Sequence, residues 1–171
     1  TANNGVHGIG ECGVDRLRVL GGQTRANASA GFGSYKGTYS GASGPGKNIH
    51  IIGLEALGNL GHGFLFDAAN DGIDGVYLEG VLSIGNGLNG VVLSNGADTC
   101  TGFKVLNSHI ENNQRSGIRI VTTGGGITDV VISGCQMVAN GRDTGAGTDR
   151  AGINLANSVT QLRIVNNRCW D

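Results

Sequence analysis

The 171-residue chain reads as an all-β solenoid, and three observations carry that reading. Thirty-three residues are Gly and only Pro45 is Pro. Gly disfavours a helix interior by about 1 kcal/mol per position relative to Ala. Between Gly53 and Gly102 no Gly-free stretch exceeds eight residues, so long helices are excluded. The segments between glycines are rich in Val, Ile, Thr and Asn, residues of strands and turns. Finally, the chain repeats itself. Ile49-His50-Ile51-Ile52-Gly53 returns as Val76-Tyr77-Leu78-Glu79-Gly80, as Phe103-Lys104-Val105-Leu106-Asn107 and as Val130-Val131-Ile132-Ser133-Gly134, each 27 residues on.

The outer copies widen the step. Leu17-Arg18-Val19-Leu20-Gly21 lies 32 residues before the first, and Leu162-Arg163-Ile164-Val165-Asn166 lies 32 after the last. Further columns keep the same register: Asn27, Asn59, Asn86, Asn113 and Asn140; Gly31, Gly63, Gly90, Gly117 and Gly152; Ile73, Cys100, Ile127 and Val159. After the Gly column come 64–66, 91–93, 118–120 and 153–155, in most copies apolar-x-apolar, the alternation of a half-buried strand. A fixed period in the twenties with short strands defines a solenoid, in which stacking buries what one coil cannot. The column 21, 53, 80, 107, 134, 166 predicts a left-handed corner, which Gly and Asn adopt at least cost. The Asn column predicts a ladder of stacked side-chain amides.

Composition excludes other classes. The glycines do not fall at every third position, so the chain is not collagen. Hydrophobic residues make up 39%, enough for a core. No apolar run approaches the roughly 20 residues of a membrane helix, and no stretch resembles a signal peptide. A net charge of −1 and a pI near 6.4 argue against nucleic acid or a polybasic membrane contact as partner. The opening Thr1 and the absence of polar caps predict one domain, 1–171, excised from a longer chain or capped by a neighbour.

Three short strands per coil with a Gly/Asn corner resemble a right-handed parallel β-helix of the pectin-lyase-like class, with about five coils here. The resemblance places 64–66, 91–93, 118–120 and 153–155 in a first sheet. It places 49–52, 76–79, 103–106, 130–133 and 162–165 in a second, and 55–57, 82–84, 109–111, 136–138 and 168–170 in a third. Gly/Asn-rich, loop-poor coils look most like a phage tailspike or virion-associated depolymerase. That likeness implies binding, with hydrolysis or lyase cleavage, of bacterial surface polysaccharide. It also implies a homotrimer in a virion tail or outside the cell. The alternative is a non-catalytic structural or adhesive β-helix of a fibre or surface protein.

Two turns break the period: the one after Phe32, holding Tyr35 and Tyr39, is five residues longer than its counterparts, and the one after Asn140 is eight longer. Such insertions concentrate on binding faces. These two are expected on opposite sides of the first sheet, flanking a groove roughly 20 Å long. The groove's floor would present Leu65, Val92, Arg119 and Asn154, the first two doubling as a candidate subunit contact. Tyr35 and Tyr39 are candidate sugar platforms. His62, Asp67, Arg115, Asn154, Arg142 and Arg150 are candidate substrate contacts. Hydrolysis needs two carboxylates, and a lyase needs a base and a group that neutralises a uronate. Asp143, Asp149 and Arg119 could serve either scheme. No metal ligand set is read, although Asp71 and Asp98, in equivalent positions of adjacent coils, could share Ca²⁺. The cysteines read as core, without metal spacing or disulfides, which fits folding in a reducing cytoplasm. Trp170 is expected to pack against a missing next coil.

Overall fold

A computed structural model describes residues 6–35, 46–68, 72–96, 99–143, 150–156 and 158–170, apart from the side chains of Cys12 and Tyr35. The described residues form 18 strands in three parallel six-stranded sheets, a parallel β-helix. The first sheet holds β1 (Ile9–Cys12), β4 (Phe32–Tyr35), β7 (Phe64–Ala68), β10 (Val91–Asn95), β13 (Ile118–Thr122) and β16 (Ile153–Ala156). The second holds β2 (Arg18–Leu20), β5 (Lys47–Ile52), β8 (Asp74–Glu79), β11 (Cys100–Leu106), β14 (Ile127–Ser133) and β17 (Val159–Val165). The third holds β3 (Gln23–Arg25), β6 (Glu55–Leu57), β9 (Leu82–Ile84), β12 (His109–Glu111), β15 (Gln136–Val138) and β18 (Arg168–Trp170).

Each sheet thus has six strands, against the five or so coils expected. The extra coil is the first. Its strand β1 pairs in register with β4, Ile9 opposite Phe32, although Gly10 and Glu11 hide the apolar alternation. The repeat columns become physical stacks. Phe64, Val91 and Ile118 lie one above another, as do Ile49, Val76, Phe103 and Val130. Phe66 bridges two such stacks, with ring centroids 5.6 Å from Phe32 and 5.7 Å from Phe103. All four of these phenylalanines are fully buried, each contributing about 1.5–3 kcal/mol of transfer free energy.

Turning the chain requires left-handed backbone, and it recurs at three places per coil. The expected Gly/Asn corner has positive φ at Gly21, Gly53, Gly80, Asn107, Gly134 and Asn166. A second such corner, ahead of the Asn ladder, falls at Ala26, Gly58, Gly85, Asn112 and Ala139. A third bends the second sheet at Arg16, Asn48, Gly75, Gly102, Asp129 and Gln161. The Gly31–Gly152 column is different. Its glycines, from Gly31 to Gly152, do not have positive φ; they are required by space. A Cβ on Gly90 would lie 2.7 Å from Gly117 O and 2.9 Å from Asn113 Nδ2.

The asparagines form the expected ladder. Asn59 Nδ2 donates to Asn86 Oδ1 at 2.9 Å and Asn86 Nδ2 to Asn113 Oδ1 at 2.8 Å. The same Oδ1 atoms accept the Asn59 and Asn86 backbone N–H groups at 3.0 and 3.1 Å. Each buried corner therefore hands its donors to the next coil, which satisfies groups that would be costly unpaired. In the first coil Glu11 occupies an inward position of the Phe66–Leu93 stack, 8% exposed, accepting from Ser34 Oγ and from Val14 N–H at 3.2 Å. Cys100 and Cys135 are buried as expected. Cys169 points inward in register with Met137 but is exposed, because no further strand covers the described face of β18. No described strand lies beyond β18 for Trp170 to pack against. Its register partner is Val138 in an outward row, and it is 45% exposed.

Candidate functional site

The outward face of the first sheet carries two rows. One runs Gly10, Gly33, Leu65, Val92, Arg119, Asn154. The other runs Cys12, Tyr35, Asp67, Ser94, Val121, Ala156. Register therefore sets Arg119 beside Asn154, as the repeat predicts. Asp67 sits beside Tyr35 in the other row, two strands from Val121. Val92 is a correction: it points outward but is only 3% exposed, and Leu65 is half-buried. The pair does not form the open apolar patch that would mark a subunit contact.

The corner leading into this sheet adds His62 and Arg115. The column His7, Ala30, His62, Asn89, Ser116 lies two residues ahead of the strands, and the side chains of His7, His62 and Asn89 accept main-chain N–H groups of the adjacent coil. His62 Nδ1 accepts the Asn89 N–H at 3.2 Å, and Asn89 Oδ1 accepts the Ser116 N–H at 3.0 Å. His7 Nδ1 does the same for Ala30 at 3.1 Å. This local role follows from geometry: a corner that leaves a main-chain N–H buried recruits the side chain of the adjacent coil. Burial, then the charges of Arg115 and Arg119, push the His62 imidazole down to about 4. At neutral pH it is uncharged, with its proton on Nε2 because Nδ1 is an acceptor. Arg115 and Arg119 therefore lie within electrostatic reach of a neutral His62 imidazole. Such a set binds carboxylate or phosphate groups, and it leaves His62 a poor base.

The eight-residue insertion leaves and returns at one point. A Cβ on Gly141 would lie 3.0 Å from Arg150 Cα. Arg150-Ala151-Gly152 then superposes in register on Arg115-Ser116-Gly117, since Gly117 N–H donates to Ala151 O at 2.9 Å. The root of the insertion is tied to the coil below. Gly141 N–H bonds Asn113 O and Arg115 O, and Asp143 N–H bonds Gln114 O at 2.7 Å. Arg142 turns to the neighbouring corner, where its Nη1 donates to Asn112 Oδ1 at 3.1 Å. Asp143 is thus held next to the Arg115 corner, whereas Asp67 lies two coils away on the far side of the sheet. Tyr39, Asp149, Asp71 and Asp98 lie outside the described residues, as does the Tyr35 side chain. Among the described residues no group of three or more His, Cys, Asp or Glu side chains could hold a metal ion.

Sequence reasoning missed the His62–Asn89–Ser116 relay, because its members differ in residue type. It also missed the third left-handed column, for which Gly75 and Gly102, 27 residues apart, were the signal. Fold and surface together define a parallel β-helix with Arg115 and Arg119 within electrostatic reach of His62 at its first sheet. Comparison with known proteins adds nothing further: no family model, no curated protein and no solved structure matches the chain.

Proposed function

We propose that the chain binds bacterial surface polysaccharide along its first sheet, as the likeness to phage tailspikes implies. The observation that supports this reading best is the convergence of His62, Arg115 and Arg119 beside the root of an insertion that carries Arg142 and Asp143. Arg115 and Arg119 supply charge for the acidic groups of the polymer, and Asn154 and Arg150 extend the contact by one coil. Cleavage uses Asp143 and Asp149, with Arg119 offsetting charge on the substrate. Tyr35 and Tyr39 are platforms for sugar rings. The assembly is a homotrimer of a virion tail, folded in a reducing cytoplasm.

The test is incubation with a panel of capsular and O-antigen polysaccharides, with products read by mass spectrometry. Fragments carrying an added water identify a hydrolase, and fragments with an unsaturated end identify a lyase. Asp143→Ala and Asp149→Ala should abolish turnover without loss of fold. A second reading, a non-catalytic adhesive scaffold, is favoured by one observation. The two described carboxylates of this face, Asp67 and Asp143, stand about three coils apart, roughly 14 Å along the axis, beyond the spacing of a retaining pair. Binding without fragments from any polymer would establish that reading.

A further inference from the structure

A different face of the solenoid carries a second arrangement that the first-sheet reading does not use. At the start of the second sheet, Arg16, Leu17, Arg18, Asn48 and His50 line an open recess of about 420 Å³. No carboxylate is among these lining residues, and the adjacent Asp15 accepts from Asn48 Nδ2 at 3.2 Å. Two guanidinium groups and an imidazole around one recess are the donor set for an oxyanion, since the planar fork of Arg matches carboxylate and phosphate geometry.

The recess opens into a row. Arg18, His50, Tyr77 and Lys104 occupy equivalent outward positions of four successive strands. Successive members are therefore one strand spacing apart, roughly 4.8 Å. The His50 and Tyr77 rings stack, with centroids 5.4 Å apart and planes at 27°. Tyr77 is oriented by its hydroxyl, which donates to Glu79 at 2.9 Å, and Lys104 lies 3.7 Å from Asp129. Cationic ends on an aromatic centre, spaced evenly along the axis, suit a linear acidic polymer better than a single small ion.

Arg16 has φ 66°, in the left-handed corner that Asn48, Gly75, Gly102, Asp129 and Gln161 occupy in later coils, so Gly at this position keeps the backbone while removing the guanidinium from the recess.

We infer that the second sheet bears an oxyanion site, built by Arg16, Arg18 and His50 and extended by Tyr77 and Lys104, for the carboxylates of an acidic saccharide. The test is calorimetric titration of the whole chain with tetragalacturonate, inorganic sulfate and neutral maltoheptaose. Tetragalacturonate is expected to bind at least tenfold more tightly than sulfate, and maltoheptaose not to bind. Arg16→Gly is the diagnostic variant, because Gly suits the left-handed backbone and leaves the fold at least as stable. It and Arg18→Ala should each weaken tetragalacturonate at least tenfold, and Tyr77→Ala several-fold. The inference is overturned by native-like binding in Arg16→Gly and Arg18→Ala, by no binding to the native chain, or by sulfate binding as tightly as the saccharide. Loss of binding in Arg119→Ala alone would also overturn it, while supporting the first-sheet groove.

Discussion

His62 shows how one residue ties fold to charge. Its Nδ1 caps the Asn89 N–H, and burial beside Arg115 and Arg119 keeps the ring neutral. The unfolded chain takes up a proton near the ordinary value of 6.5, whereas the folded chain resists protonation until about 4. The stabilisation is therefore complete above about pH 6.5 and is lost as pH falls through 4, amounting to at most about 3 kcal/mol. His62→Asn places the Asn89 solution one coil earlier. Its urea midpoint should match the native one at pH 7 and fall less between pH 6.5 and 4. Gly90 is a residue whose requirement is spatial. Gly90→Ala should destabilise by about 1–3 kcal/mol, because backbone and ladder atoms fill the space a Cβ needs. Thermal denaturation of the purified variant checks it.

At the scale of elements, the Asn ladder and the insertions make opposite predictions. Asn86 accepts two donors from Asn59 and gives its own to Asn113 Oδ1 and Ala56 O. Asn86→Ala leaves several buried groups unpaired and should cost about 2–4 kcal/mol. The same change at half-buried Asn140 should cost less, because water can substitute. Equilibrium unfolding of both variants decides this. Removing residues 142–149, by contrast, should leave the fold intact. It joins Gly141 to Arg150, which already meet, and restores the Asn-x-Arg-x-Gly step of the coil below. Native circular dichroism with loss of polysaccharide turnover would locate function in the insertion. Loss of the strand signal would show that the insertion is structural.

At the scale of the whole molecule, each coil touches chiefly its neighbours, so stability is close to a sum of coil and interface terms. The middle coils bury Val76, Phe103 and Ile132 almost completely, whereas Leu162 and Ile164 of β17 are 40% and 41% exposed. Amide hydrogen exchange should accordingly be slowest across β8, β11 and β14 and fastest in β17 and β18. Uniform protection across all six coils would contradict this.

A 27-residue period with Gly, Asn and apolar columns, and the resemblance it carries, was enough to determine the fold class, five of the six third-sheet strands to the residue, the Asn ladder and one of three left-handed corners. The reason is that stacking puts like residues over like, so the three-dimensional neighbour of a residue is written one period away. Where residue type varies down a column, that signal vanishes. Glu11 conceals the first coil, and His7, His62 and Asn89 conceal a shared role as acceptors. Only the tertiary structure decided which side chains converge from different columns. It gathered His62 with Arg115 and Arg119, separated Asp67 from Asp143, and set Arg16 and Arg18 around one recess. Long side chains reach across coils to distances and burial that a one-dimensional period does not encode.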